Sequence, residues 1–118
     1  MTKTLFILND APYGTERSYN ALRLAGSLAR RPGEYVKVFL MGDAASCAKA
    51  NQKLPQGYYS IEVMLQGPAT HHGVEVSVCG TCMDARGIAD TELAEGTKRG
   101  SLSQLTDWTV WSDRTLVF

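Results

Sequence analysis

Stretches that read as buried strands alternate with stretches that read as helices along the whole of this 118-residue chain. Leu5-Phe6-Ile7-Leu8 is a continuous apolar run, the pattern of a strand covered on both faces. Asn9 to Gly14 is a loop by composition, and Thr15 is placed to cap the helix that follows. In that helix Ala21, Leu22, Ala25, Leu28 and Ala29 recur at helical spacing, and Pro32-Gly33 stops it. Val36 to Met41 is a second buried-strand pattern; Asp43 is then expected to cap a small-residue helix, Ala44–Ala50. Tyr58 to Gln66 fits either period. A helix is chosen because two parallel strands need a crossover between them, and Gly67-Pro68 is expected to break or kink it.

Val74, Val76 and Val78 alternate with polar residues as a third strand, leading directly into a turn and short helix over residues 80–86. Asp90–Glu95 reads as another short helix. Ser101-Leu102-Ser103-Gln104 is a capping box for a helix running to about Trp111, and Thr115–Phe118 is a terminal strand. This order predicts an α/β fold: one three-layer α/β/α domain over residues 1–118, with helices on both faces of a mostly parallel sheet of about five strands.

Composition removes several function classes. Lys+Arg and Asp+Glu are both 12, so the basic excess of a general nucleic-acid binder is missing, as is a polybasic stretch for a membrane surface. The apolar runs are far shorter than a membrane span, and the N-terminus lacks the pattern of a signal peptide. A cytoplasmic location is the expectation, and cysteines there are more often chemical than structural.

Chemistry is expected where strands end and helices begin. The loop after the first strand lacks the glycines of a dinucleotide or phosphate loop, so no nucleotide cofactor is predicted. Cys79-Gly80-Thr81-Cys82 is the most informative tetrapeptide. Cys79 falls at the end of the third strand and Cys82 in the first turn beyond it, where free amides favour an anion and help a thiol ionise. Arg86, one turn past Cys82, adds positive charge to the same face. Zinc is a weak competitor. His71 and His72 precede a strand whose far end carries the thiols, a separation of roughly 17–20 Å. No metal site is predicted. Cys47, beside Ala44, Ala45 and Ala48, reads as packing.

The residues also resemble a family. Ala-Pro-Tyr-Gly-Thr-Glu-Arg-Ser-Tyr-Asn-Ala-Leu-Arg-Leu-Ala in the first loop and helix, His-Gly-Val-Glu-Val opening the third strand, Val78-Cys79 ending it, Arg86-Gly87-Ile88, and a hydrophobic strand after Ser-Asp-Arg are similar to the DsrE/DsrF-like sulfur-relay family, nearly end to end. The resemblance implies that Cys79, eight residues before Gly87, carries sulfane sulfur as a persulfide and hands it to an acceptor thiol. It further implies donor and acceptor proteins, the acceptor of a DsrC/TusE-like kind, and a homo-oligomer, trimer or hexamer, with the reactive cysteine near a subunit contact. Tyr13, Asn9 and Arg86 become candidates for lining the substrate pocket. The relay subunit of that family carries alanine where Cys82 stands, so here a second thiol can resolve the persulfide or close a disulfide.

Two other functions are compatible with the same residues. A CxxC thiol–disulfide oxidoreductase would use both thiols, although dithiol enzymes of the thioredoxin kind usually place the first cysteine at the helix start. A non-enzymatic assembly or binding subunit would use the cysteines only for packing.

Overall fold

The computed structural model describes every residue, Met1–Phe118. The elements run β1 (Thr2–Leu8), α1 (Arg17–Ala29), β2 (Glu34–Leu40), a 3-10 segment (Gly42–Ala48), α2 (Ile61–His71), β3 (Glu75–Cys79), α3 (Gly80–Ala85), β4 (Thr97–Gly100), α4 (Leu102–Trp111) and β5 (Arg114–Val117). A three-residue 3-10 turn, Asp90–Glu92, precedes β4. The strands form one sheet in the order β4-β3-β2-β1-β5, and every pairing is parallel. The α/β architecture expected from the alternating pattern is therefore present.

Alternation along each strand sends side chains to two different layers. On one face Phe6, Leu8, Val38, Leu40 and Val78 are closed to solvent against α1, α2 and the 3-10 segment. On the other face Leu5 and Phe39 pack against Trp108 of α4. The Phe39 and Trp108 rings meet edge-on, 6.1 Å between centroids at 88°. Such pairs add about 0.5–1.5 kcal/mol beyond burial.

Several local expectations are corrected. β4 was not expected from its sequence: Thr97-Lys98-Arg99-Gly100 is short and polar, as an edge strand with one partner can be. The α2 helix passes through Pro68 without ending. The ring of Pro68 packs where Gly26 of α1 has no side chain, 3.6 Å from where a β-carbon there would lie. Packing of α2 on α1 offsets the roughly 3 kcal/mol that an interior proline costs a helix. The small-residue segment after β2 is a 3-10 helix beginning at Gly42, and the Asp43 side chain does not cap it. That carboxylate is taken by Arg86, at 2.8 Å. Residue 16 precedes the first turn of α1, while Thr15 donates to Asp10 and accepts a long 3.4 Å bond from the Arg17 N–H. Asp90–Glu95 shortens to the three-residue turn. The Ser101 hydroxyl does cap α4, accepting from the Gln104 N–H at 3.2 Å.

Candidate functional site around Cys79 and Cys82

β3 passes into α3 with no intervening loop, so the CxxC sits across the C-terminal end of the sheet. Cys79 is the last residue of β3 and lies in register with Gly100 of β4. Gly80 lets β4 come this close: a β-carbon there would stand 3.1 Å from the Gly100 carbonyl oxygen and 2.7 Å from an Arg99 nitrogen. The two thiols then part. Cys79 joins the α4 side of the sheet with Ile7, Met41 and Leu105, and Cys82 joins the opposite core.

Neither thiol is sealed; each is partly buried. Cys79 opens on a pocket of about 460 Å³ floored by Phe39 and Met41, walled by Leu102 and Leu105 of α4, and edged by Asp84 and Arg99. Its Sγ lies 3.2 Å from the Thr81 hydroxyl. Cys82 Sγ accepts a hydrogen bond from the Gly42 N–H at 3.2 Å. Gly42 has φ of +58°, a left-handed conformation that aims this N–H and that a side chain would strain.

The pair shares protons unequally. Desolvation pushes the Cys79 thiol up, but hydrogen bonds from the Cys82 and Thr81 side chains and their backbone N–H groups outweigh it and lower the pKa. Cys82 moves the other way. Desolvation, its hydrogen bond to Cys79 and the charge on Cys79 raise it, against smaller lowering by the Gly42 N–H and Arg86. A thiol with a lowered pKa stays ionised to lower pH, and the thiolate is the reacting form. Alkylation of Cys79 by iodoacetamide, followed by peptide mass mapping from about pH 5 to about pH 10, is therefore expected to level off at lower pH than alkylation of Cys82. Coincident profiles would contradict this division of roles.

Cys47 does not belong to the site. It is buried under the first core, its thiol points to the Asp10 carbonyl oxygen at 3.5 Å, and desolvation pushes its pKa up to about 12. Packing is what this cysteine does, as its alanine neighbours suggest.

Of the three residues expected to line the pocket, Arg86, Asn9 and Tyr13, none is among its lining side chains. Arg86 stands beside Cys82, donating to the Cys82 carbonyl oxygen at 3.1 Å and to Asp43 at 2.8 Å, and so ties α3 to the loop that carries Gly42. Asn9 donates through its side chain and backbone to the Phe118 carbonyl oxygen, pinning the ends of β1 and β5 together. Tyr13 is not on the pocket wall: its hydroxyl donates to the Tyr59 carbonyl oxygen at 3.0 Å and accepts from the Ile61 N–H at 3.1 Å, clasping the first loop to the start of α2. Residues that the sequence did not advertise complete the pocket. Asp84, Arg99, Leu102 and Leu105 come from α3, β4 and α4. A signal for Arg99 would have required recognising β4.

A model of the DsrE/DsrF-like family matches residues 2–118. The chain belongs to the DsrE/DsrF-like family. Protein YchN of Escherichia coli is 39% identical over 119 residues, covering both chains fully. Its crystal structure superposes with a TM-score of 0.92 over the whole of each chain. An uncharacterized protein of Methanopyrus kandleri is 35% identical over 112 residues, covering 95% of this chain and 90% of its own. DsrE/DsrF-like proteins are generally related to sulfur relay. No helix of this member is long and apolar enough to cross a membrane.

Proposed function

We propose that this protein carries sulfane sulfur as a persulfide on Cys79 and passes it to an acceptor thiol, acting as a sulfurtransferase. The observation that carries the reading is the position of Cys79: a partly exposed thiol at the end of a central strand, opening on a pocket and hydrogen-bonded at 3.2 Å to Thr81. In the loading step the Cys79 thiolate attacks the outer sulfur of a donor persulfide. A new S–S bond forms on Cys79, the donor S–S bond breaks, and its electron pair leaves on the donor thiolate. In the unloading step an acceptor thiolate attacks that same outer sulfur, and Cys79 leaves as thiolate. No external oxidant or reductant is consumed, and a lowered Cys79 pKa assists both steps, as nucleophile and as leaving group.

Cys82 is assigned a resolving role. As thiolate it attacks Cys79 Sγ of the persulfide, closing a Cys79–Cys82 disulfide and expelling hydrosulfide; a reducing thiol then resets the pair. Arg86 and Asn9 hold the loop ends beside this site, and the bonds of Tyr13 give it the same bracing role. The same pair of partly exposed thiols lining one pocket supports the runner-up, a thiol–disulfide oxidoreductase. The separating experiment loads reduced protein with inorganic polysulfide and then adds a fresh thiol peptide. Sulfur carriage requires a gain of one sulfur atom and its appearance on the peptide. Protein that only cycles between dithiol and disulfide would replace carriage with the oxidoreductase reading.

We further propose that copies of the chain assemble through the α4 side of the sheet. Support comes from Val110 of α4 and Val117 of β5, apolar side chains that are 83% and 65% exposed away from the Cys79 pocket. Sedimentation velocity is expected to give a trimer or hexamer; a monomer at high micromolar concentration removes this part of the proposal.

A further inference from the structure

The cations around the thiols are already committed. Arg99 at the pocket edge donates to Asp84 at 2.8 Å and to Asp90 at 2.7 Å. Arg86 donates to Asp43 at 2.8 Å. At the pocket edge two carboxylates thus face one guanidinium, leaving one net negative charge there, while Arg86 and Asp43 cancel beside Cys82. The interior of the same pocket is apolar, with Phe39, Met41, Leu102 and Leu105 as its surfaces. Its volume, about 460 Å³, far exceeds what a bare sulfide needs, since a water takes up about 30 Å³ of liquid. It is instead within the range of pockets that enclose organic groups.

Two consequences follow for whatever exchanges sulfur here. An anionic carrier meets the net negative edge, and the one cationic side chain of the lining, Arg99, is already paired with Asp84 and Asp90. A carrier with an apolar side chain next to its thiol gains by burying that group beside Leu102 and Leu105. Resting on the sulfur-carrier reading above, we infer that the partner cysteine is one flanked by apolar and non-acidic residues, and that acidic low-molecular-weight thiols such as glutathione are poor substitutes for it. The residues that set this preference are Leu102 and Leu105 for the apolar group and Asp84 and Asp90 for the charge.

The test uses thiol–disulfide exchange at Cys79 in the Cys82→Ser chain, so that the mixed disulfide stays on Cys79. The Cys79 thiolate attacks one sulfur of a symmetrical disulfide, and the other half leaves as a thiolate. The probes are disulfides of the amidated tripeptides Leu-Cys-Gly and Glu-Cys-Gly, together with oxidised glutathione. Each rate is divided by that of the same probe with an unstructured cysteine peptide. The leucine probe is expected to react about tenfold faster than the glutamate probe. Oxidised glutathione should be slowest. Asp84→Asn, at an exposed position, frees part of Arg99 and is expected to raise the glutamate rate severalfold without raising the leucine rate. Leu102→Ser should slow the leucine probe alone. Glutathione reacting as fast as the leucine probe overturns the inference while leaving Cys79 as carrier. Failure of every probe to modify Cys79 overturns the carrier reading and the inference together.

Discussion

A Cys79→Ser chain exposed to polysulfide is expected to gain no sulfur, whereas the wild-type chain gains about 32 Da per atom carried. The expectation rests on which thiol is both reachable and readily ionised rather than on the number of thiols. Of the three cysteines, Cys47 is buried with its pKa pushed up to about 12, and Cys82 has its pKa raised by desolvation and by its neighbour Cys79. Cys79 and Cys82 are both partly exposed and both line the pocket, and of the two only Cys79 has a lowered pKa. Removing it should reduce the rate of persulfide formation by more than about a hundredfold, because serine at neutral pH offers almost no anion. The Cys82→Ser chain behaves oppositely. It loads, and its persulfide outlasts that of the wild type because the internal attack that would expel hydrosulfide is gone. Intact mass spectrometry over time reads both outcomes. A persulfide that persists in Cys79→Ser and vanishes in Cys82→Ser reverses the two roles.

The second large effect concerns the floor of the pocket. Phe39 is 1% exposed and carries the contact between β2 and α4 through Trp108. Truncating it to alanine leaves a cavity on the side of the sheet that has only one covering helix. The expected cost is about 3–5 kcal/mol, a large share of the total stability of a domain this size. Urea unfolding would show a midpoint lowered by about 2 M for a slope of about 2 kcal/mol per molar. Phe39→Leu keeps most of the volume and should lose less than about 1.5 kcal/mol. An alanine variant with an unshifted midpoint would mean that α4 is not anchored through this ring.

The strands that were legible are those buried on both faces. Leu5–Leu8 and Val36–Met41 announce themselves because two covering layers require apolar residues at successive positions. β4 was invisible for the opposite reason. It needs only backbone pairing with β3, and its Lys98 and Arg99 side chains are exposed. The cost of missing it falls on the site, since Arg99 and Gly100 edge the pocket. The CxxC and Arg86 could be found because they are adjacent in sequence. The Gly42 N–H that meets Cys82 lies forty residues away, and only the parallel order of β2 and β3 brings it there. The path of α2 through Pro68 was equally unreadable, because the missing side chain of Gly26 that accommodates the ring belongs to another helix.

Both outer strands of the sheet, β4 and β5, are only four residues long, and each carries arginine: Arg99 anchored to Asp84 and Asp90, Arg114 to Glu34 and Thr4. A ribbon of this kind is a poor template for a neighbour's backbone, since adding a strand would have to displace ordered charge for few new amide pairings. Growth by lateral strand addition, the route to fibrils and swapped sheets, is thereby blunted at both margins. The molecule can keep a reactive apolar hollow open on its surface without inviting open-ended polymerisation.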